Sequence, residues 1–330
     1  MKNVLLILGV TLVCLLGLEG LTRTVVDTGM IYELEMWKYA REVKMRDANP
    51  EIGHRHRPNA QAHLMGAPVR TNAQGFRGPE IAPQAAPGVA RIAFVGDSIT
   101  MGWGVAEQEM FSHRVLAALQ KAGRKVDGFS QGVGNLNTAQ ELALFKAHGA
   151  ALKPDIIVLA YFINDAEPMP KYGNPSWLDQ NSAAWVVLNY RLDTLSRSFG
   201  EAPDWKKYYR DLYNDNEAGW QATQRALAGF AATARESGAQ LIVFNVPEIR
   251  ELEPYPFGDI TAKVLDLARK HGVPAIDLLP SVAALDPPSL WVTVPDPHPN
   301  GRANAALAEG MLPEITKQLD ALCRSRGKGC

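Results

Sequence analysis

Cysteine is scarce in this chain, with three residues in 330, at Cys14, Cys323 and Cys330. So low a count excludes a small disulfide-held scaffold, and none of the three has a metal-ligand partner near it in sequence. A surplus of charge of either sign is lacking too. The formal net charge is −1 and no cluster of Lys and Arg marks the body of the chain. That removes the electrostatic case for a nucleic-acid partner, since phosphate neutralisation needs grouped cations. With 46% hydrophobic and 21% charged residues, the composition is that of an ordinary globular protein. Its length suits one α/β domain with elaborations.

The N-terminus departs from that average. Lys2 precedes an apolar run from Val4 to Leu18, broken by Glu19 and then Arg23. By length this is a secretory h-region, short for a spanning helix unless Gly20 and Leu21 extend it. No small-x-small cleavage site follows. Residues 1–23 therefore read first as an uncleaved signal anchor and second as a cleaved signal peptide. Either exports the rest of the chain, and the first leaves it membrane-anchored on the periplasmic or extracellular side. Cys14 follows Val13 rather than a small residue, which argues against a lipoprotein. In an exporting compartment Cys323 and Cys330 can form a disulfide that clips the tail, residues 323–330, into a loop. Two idle thiols are the alternative, because spacing alone fixes no bond geometry.

Residues 24–90 read as a juxtamembrane helix followed by an extension. Ile31, Leu34, Trp37 and Ala40 give the stretch Asp27 to Met45 a weak apolar stripe, with charges that keep it solvated. Residues 48–88 are rich in Pro, Gly and Ala. His54, His56 and His63 lie close together there, but no Cys, Asp or Glu at ligand spacing joins them, so no metal is assigned. Val69 to Gly78 reads as a short hairpin or turn beside the main sheet.

From Arg91 onward, apolar runs alternate with helical patterns. The runs are Arg91–Gly96, Lys125–Gln131, Asp155–Ala160, Gln240–Val246 and Pro274–Leu279. The helical patterns are Phe111–Ala122, Thr138–His148 with Thr138 as its cap, Trp220–Glu236, Ile260–His271 and Arg302–Leu322. Such alternation implies a parallel sheet covered on both faces. Gly96-Asp97-Ser98 turns the chain directly after the first strand. In open α/β sheets ligands sit at the carboxyl ends of strands, which is where Ser98 falls. Taken alone, the tripeptide reads equally well as a turn and helix cap.

Three further segments decide the matter. They are the glycine loop Gln131–Thr138, the strand end Tyr161–Asp165 containing Asn164, and Pro295–Asn300 containing Asp296 and His298. Serine, glycine, asparagine and histidine in this order resemble the SGNH (GDSL-like) hydrolase family across roughly residues 91–318. The resemblance implies a flavodoxin-like three-layer sandwich with a central parallel sheet, drawn as a domain over 91–322. It also implies Ser98 as nucleophile, His298 as general base and Asp296 as the acid that orients it. Asn164 becomes the side-chain donor of an oxyanion hole completed by the backbone N–H of Ser98 and one from Gly134 or Asn135, with no cofactor. Two positions depart from the family. Asp296 stands two residues before the histidine where many members have three, and Asn135 stands where glycine is usual, although Asn tolerates left-handed backbone. The Gly-x-Ser-x-Gly elbow of α/β-hydrolases is missing. Asp97 reads as a turn-former.

The chemistry follows from residue type. A serine hydroxyl needs an adjacent base to attack at neutral pH, and histidine's ordinary pKa suits that task. Residues 166–216 form an insertion crowded with aromatics, among them Trp177, Trp185, Tyr190, Trp205, Tyr208, Tyr209 and Tyr213. They read either as a wall over Ser98 or as the core of a small helical subdomain. The functional expectation is an exported serine esterase acting on acyl or acetyl esters of a carbohydrate or lipid. An O-acetyltransferase of a cell-surface polysaccharide is the alternative, and a non-catalytic polysaccharide-binding module is the third reading.

Overall fold

A short apolar run with no polar break is stable as a strand only when both of its faces are covered. The computed structural model, which describes residues 2–198 and 204–330, uses the chain's apolar runs in that way. Five strands, β1 (Ala90–Gly96), β2 (Val126–Gly132), β3 (Ile156–Tyr161), β4 (Gln240–Asn245) and β5 (Ala275–Asp277), pair in parallel in the order β2-β1-β3-β4-β5. Side chains alternate along β1. Ile92 and Phe94 meet the helices Phe111–Lys121 and Gly301–Arg326 on one face, while Ala93 and Val95 meet Ala218–Ser237 and Gly258–Lys270 on the other. The result is the flavodoxin-like three-layer sandwich that the sequence implies. Because the chain runs outward from β1 to β2 and then back past β1 to β3, a crevice opens at the carboxyl ends of β1 and β3.

Several boundaries shift from the sequence reading. Strand β3 stops at Tyr161, and Asn164 rides on a single 3-10 turn, Ile163–Ala166. Strand β5 stops at Asp277 because Leu279–Val282 turns helical with a proline in its first turn. The helix after the glycine loop is capped by Asn137, not Thr138. The Asn137 side chain accepts from Gln140 N–H at 3.0 Å, and Thr138 is already helical.

The extension is integral to the domain. The helix expected over Asp27–Met45 runs from Tyr32 to Val43, an α-helix Tyr32–Lys38 continued by a π-helical turn Tyr39–Val43 and entered after a left-handed glycine, Gly29 (φ 76°). Its charges do not merely keep it solvated. Glu35 is fully buried and accepts from Met65 N–H and from Lys38 Nζ, at 2.8 and 2.7 Å. Leu34, Tyr39, Val43, Leu64 and Val69 pack with Met101 and Trp103 in one cluster beside the main core. The hairpin lies at Gln61–Leu64 and Ala67–Arg70, just ahead of the predicted stretch. Arg77 then bridges to Ser130 of β2.

The N-terminal helix, Lys2–Leu21, has no buried residue, and with Thr22–Val26 it is long and apolar enough to cross a membrane. It meets the insertion through Glu19, which accepts from Ala183 and Ala184 N–H, each at 3.0 Å, at the start of the helix Ala183–Ser198. Within the insertion, Trp205 and Tyr209 pack on Phe257, and Tyr213 packs on Trp220. Trp177 remains 72% exposed. Cys323 and Cys330 are joined by a disulfide.

Candidate active site

Strand β1 delivers Gly96 to a turn where a side chain would collide, its Cβ falling 3.0 Å from the carbonyl oxygen of Ala160. Asp97 caps the one-turn helix Ser98–Met101 by accepting from Ile99 N–H at 2.9 Å. This turn sets Ser98 at the mouth of the crevice. Its Oγ lies 2.9 Å from His298 Nε2.

His298 comes from the other end of the chain, on the strand Asp296–Pro299, which pairs with Trp291–Thr293. Residues two apart on a strand face the same side. The short Asp-x-His spacing therefore puts both side chains together, with Asp296 Oδ1 2.5 Å from His298 Nδ1. The second carboxylate oxygen accepts from Trp103 Nε1–H at 2.7 Å. Burial pushes the Asp296 carboxyl up, but the bonds from His298 and Trp103 outweigh it and leave the group below the ordinary carboxylate range. An ionised acid can only accept, so His298 carries its proton on Nδ1 and offers the Nε2 lone pair to the Ser98 hydroxyl.

The expected oxyanion donors divide. Ser98 N–H has no acceptor among the described residues. Asn164 faces the cleft with its amide against Asp97, and its Oδ1 is buried without a partner. Gly134 drops out as a donor, because its N–H is occupied by the Tyr39 hydroxyl at 2.8 Å. Asn135, left-handed at φ 65°, has an N–H with no acceptor among the described residues and is the remaining backbone candidate.

These groups open on a cleft of about 260 Å³, walled by Tyr32, Met36, Trp103, Phe162, Tyr209 and Arg250. Tyr32, Met36 and Trp103 were not singled out by the sequence reading as site residues. A signal existed, since Tyr32, Met36, Tyr39 and Val43 fall at i, i+4, i+7 and i+11, the stripe this segment turns inward. Tyr209 makes part of the insertion a cleft wall, whereas Trp205 and Tyr213 serve packing. These two pack on Phe257 and Trp220 of the main domain, not in a separate subdomain core. His54 and His56 are engaged in protein hydrogen bonds, and among the described residues no group of three or more His, Cys, Asp or Glu is placed to hold a metal.

The chain is similar in fold to solved structures of low identity. TesA is 17% identical, covering 69% of this chain and 99% of its own, at a TM-score of 0.47. A mutant of Axe2, an acetyl-xylooligosaccharide esterase from Geobacillus stearmophilus, is 18% identical over 68% of this chain and 94% of its own, at 0.44. The psychrotrophic esterase EstA from Pseudoalteromonas is 12% identical over 70% and 98%, at 0.45. Comparison with curated proteins returns no match. The model of the GDSL-like lipase/acylhydrolase family matches residues 94–306, from the middle of β1 past His298. With nearly two thirds of its length so matched, the chain belongs to the GDSL-like lipase/acylhydrolase family and is a serine ester hydrolase.

Proposed function

We propose that this protein is an exported, membrane-anchored esterase that removes short acyl groups from carbohydrate or lipid esters, with Ser98, His298 and Asp296 as its triad. The observation that carries the reading is the unbroken relay from Ser98 Oγ through His298 to Asp296 at the floor of the cleft. Ser98 Oγ attacks the ester carbonyl while His298 Nε2 takes the hydroxyl proton. Asp296 holds the imidazole in register and stabilises the imidazolium. The carbonyl oxygen becomes an oxyanion facing the N–H groups of Ser98 and Asn135 and the Asn164 amide, each such donor contributing about 3–4 kcal/mol. His298 returns the proton to the departing alcohol, leaving an acyl ester on Ser98. Water then repeats the cycle, giving up a proton to His298 as it attacks, and the acid leaves.

The size of the cleft supports a short acyl group. At about 260 Å³ it lies below the roughly 300–1,000 Å³ usual for drug-sized ligands. Export and anchoring are supported by the bare apolar helix Lys2–Leu21 and by the Cys323–Cys330 disulfide, which suits an oxidising compartment.

The test compares p-nitrophenyl acetate, butyrate and octanoate as substrates for the parent and for Ser98→Ala, with and without a sugar acceptor. Acetate or butyrate is expected to be turned over fastest, and Ser98→Ala to lose on the order of 10⁴-fold or more in kcat. Parental activity that survives Ser98→Ala would overturn the triad. Acceptor-stimulated turnover with acylated sugar as product would move the assignment to an acyltransferase.

A further inference from the structure

The Gly134 peptide is held at both ends by side chains that lie outside the family-matched region. Its N–H donates to Tyr39 Oη at 2.8 Å, and its C=O accepts from His54 Nε2 at 2.9 Å. Tyr39 is 1% exposed and His54 6%. The next residue is tied to the same segment, because Lys44 Nζ donates to Asn135 Oδ1 at 2.8 Å.

The donors and acceptors fix the proton order of this network, with His56 Nδ1 left without a hydrogen-bond partner among the described residues. A backbone N–H can only donate, so the Tyr39 hydroxyl accepts from Gly134 and gives its own proton to His56 Nε2, 2.7 Å away. A backbone carbonyl can only accept, so His54 carries its proton on Nε2. Its bare Nδ1 then accepts from the Tyr172 hydroxyl at 2.7 Å. That hydroxyl in turn accepts from Gln140 Nε2 at 3.1 Å. Both histidines must be neutral for this order to hold. Burial, reinforced by Lys44, pushes His54 down to about 4 and His56 to about 3, so they are neutral at working pH.

Asn135 needs such support. Asn tolerates the left-handed region better than other non-glycine residues, and such a conformation persists where its surroundings over-determine it. Gly134 is suited to the contact for a different reason, since a Cβ there would lie 2.9 Å from the Tyr39 ring.

We propose that Tyr39 and His54 are positioning residues that clamp the Gly134 peptide and thereby aim the Asn135 N–H into the oxyanion hole, so that the working catalytic unit includes the extension from Tyr39 to His56. The proposal rests on the esterase reading above for its kinetic consequence, but not for its structural one. Misplacing a reacting or stabilising group by about 1 Å costs up to about 100-fold in rate.

Tyr39→Phe removes the hydroxyl and keeps the ring in its cluster. In the full-length protein it is expected to lower kcat for p-nitrophenyl acetate about 10- to 100-fold, with KM changed less than about twofold. The inhibition constant of phenylboronic acid, whose tetrahedral serine adduct places an oxygen in the hole, should rise by the same factor. His54→Leu is expected to behave likewise, and His54→Gln, which restores a donor to the Gly134 carbonyl, to recover part of the loss. Val69→Ala, a cavity in the same cluster but on the hairpin strand outside residues 39–56, is the control for simple destabilisation and should leave kcat and the boronate constant at parental values. Amide exchange over residues 133–136 reads the clamp without any substrate, and it should quicken in Tyr39→Phe. Unchanged exchange, or kinetic losses matched by Val69→Ala, would overturn the proposal. A parent without Ser98-dependent turnover sinks the esterase reading instead, and the exchange result still judges the clamp.

Discussion

Glu141 lies behind the Ser98 turn, only 1% exposed, and neither of its carboxylate oxygens has a hydrogen-bond partner among the described residues. Burial raises its pKa well above the ordinary glutamate range, and the nearby Asp165 and Asp97 raise it further. Glu141 is therefore held as the neutral acid. The folded chain then binds that proton more tightly than the unfolded chain does. Stability from this group is full below the unfolded value of roughly 4.3, and it falls as pH rises towards the raised folded value. Glu141→Gln keeps the neutral shape without the titration. Its denaturant midpoint is expected to exceed the parent's at about pH 8, with the gap narrowing as pH falls towards about 5. A gap that does not vary with pH would count against the buried neutral carboxyl. Legibility at this scale follows distance along the chain. Ser98, Asn164, Asp296 and His298 each carry their signal in a few neighbouring residues. The proposed choice of Asn135 over Gly134 does not, because it rests on a hydroxyl 95 residues away, on Tyr39, that takes up the Gly134 N–H.

At the scale of elements, the central strands β1, β3 and β4 were readable because each is a nearly continuous apolar run that only a doubly covered position can accept. In the extension a helix and a hairpin or turn were expected, but not how tightly they dock, since that depends on long-range contacts rather than local pattern. Arg77 shows how. It is 1% exposed, and its guanidinium donates to the carbonyls of Pro68, Met101 and Val105, at 2.9, 3.0 and 2.6 Å, and to that of Gly102. One side chain thus ties the hairpin strand Ala67–Arg70 to the loop that leaves the Ser98 helix. Burial pushes its pKa down to about 10, which still leaves the group charged at neutral pH. Arg77→Leu strands these carbonyls away from water, and each buried unsatisfied group costs about 1–3 kcal/mol. The expected loss is on the order of 3 kcal/mol or more in denaturant unfolding. A change within about 0.5 kcal/mol, the range of an ordinary surface substitution, would show that the extension docks without it.

The whole molecule poses the question of what keeps the N-terminal helix in place. Its apolar side chains are bare, Leu5, Leu8, Leu12 and Leu16 all being more than half exposed. In water that surface would drive aggregation, whereas in a bilayer each central Leu favours insertion by about 0.3–0.6 kcal/mol. The helix end is also built into the fold. Glu19 accepts from Ser182 Oγ at 2.7 Å as well as from the amides of Ala183 and Ala184, and Arg23 donates to the Asn181 carbonyl at 2.9 Å. Cleavage after the apolar run would leave the helix Ala183–Ser198 without the acceptor at its start, which typically costs about 1 kcal/mol. The mature protein is therefore expected to keep residues 2–23. It should stay in the membrane fraction through an alkaline carbonate wash, its intact mass should match the uncleaved chain, and protease added to spheroplasts, whose outer envelope is opened, should digest the catalytic domain. A washed-off or soluble product lacking the apolar run would overturn anchoring while leaving the chemistry at Ser98 untouched. A domain protected from protease in intact spheroplasts but digested after their lysis would place the catalytic cleft on the cytoplasmic side.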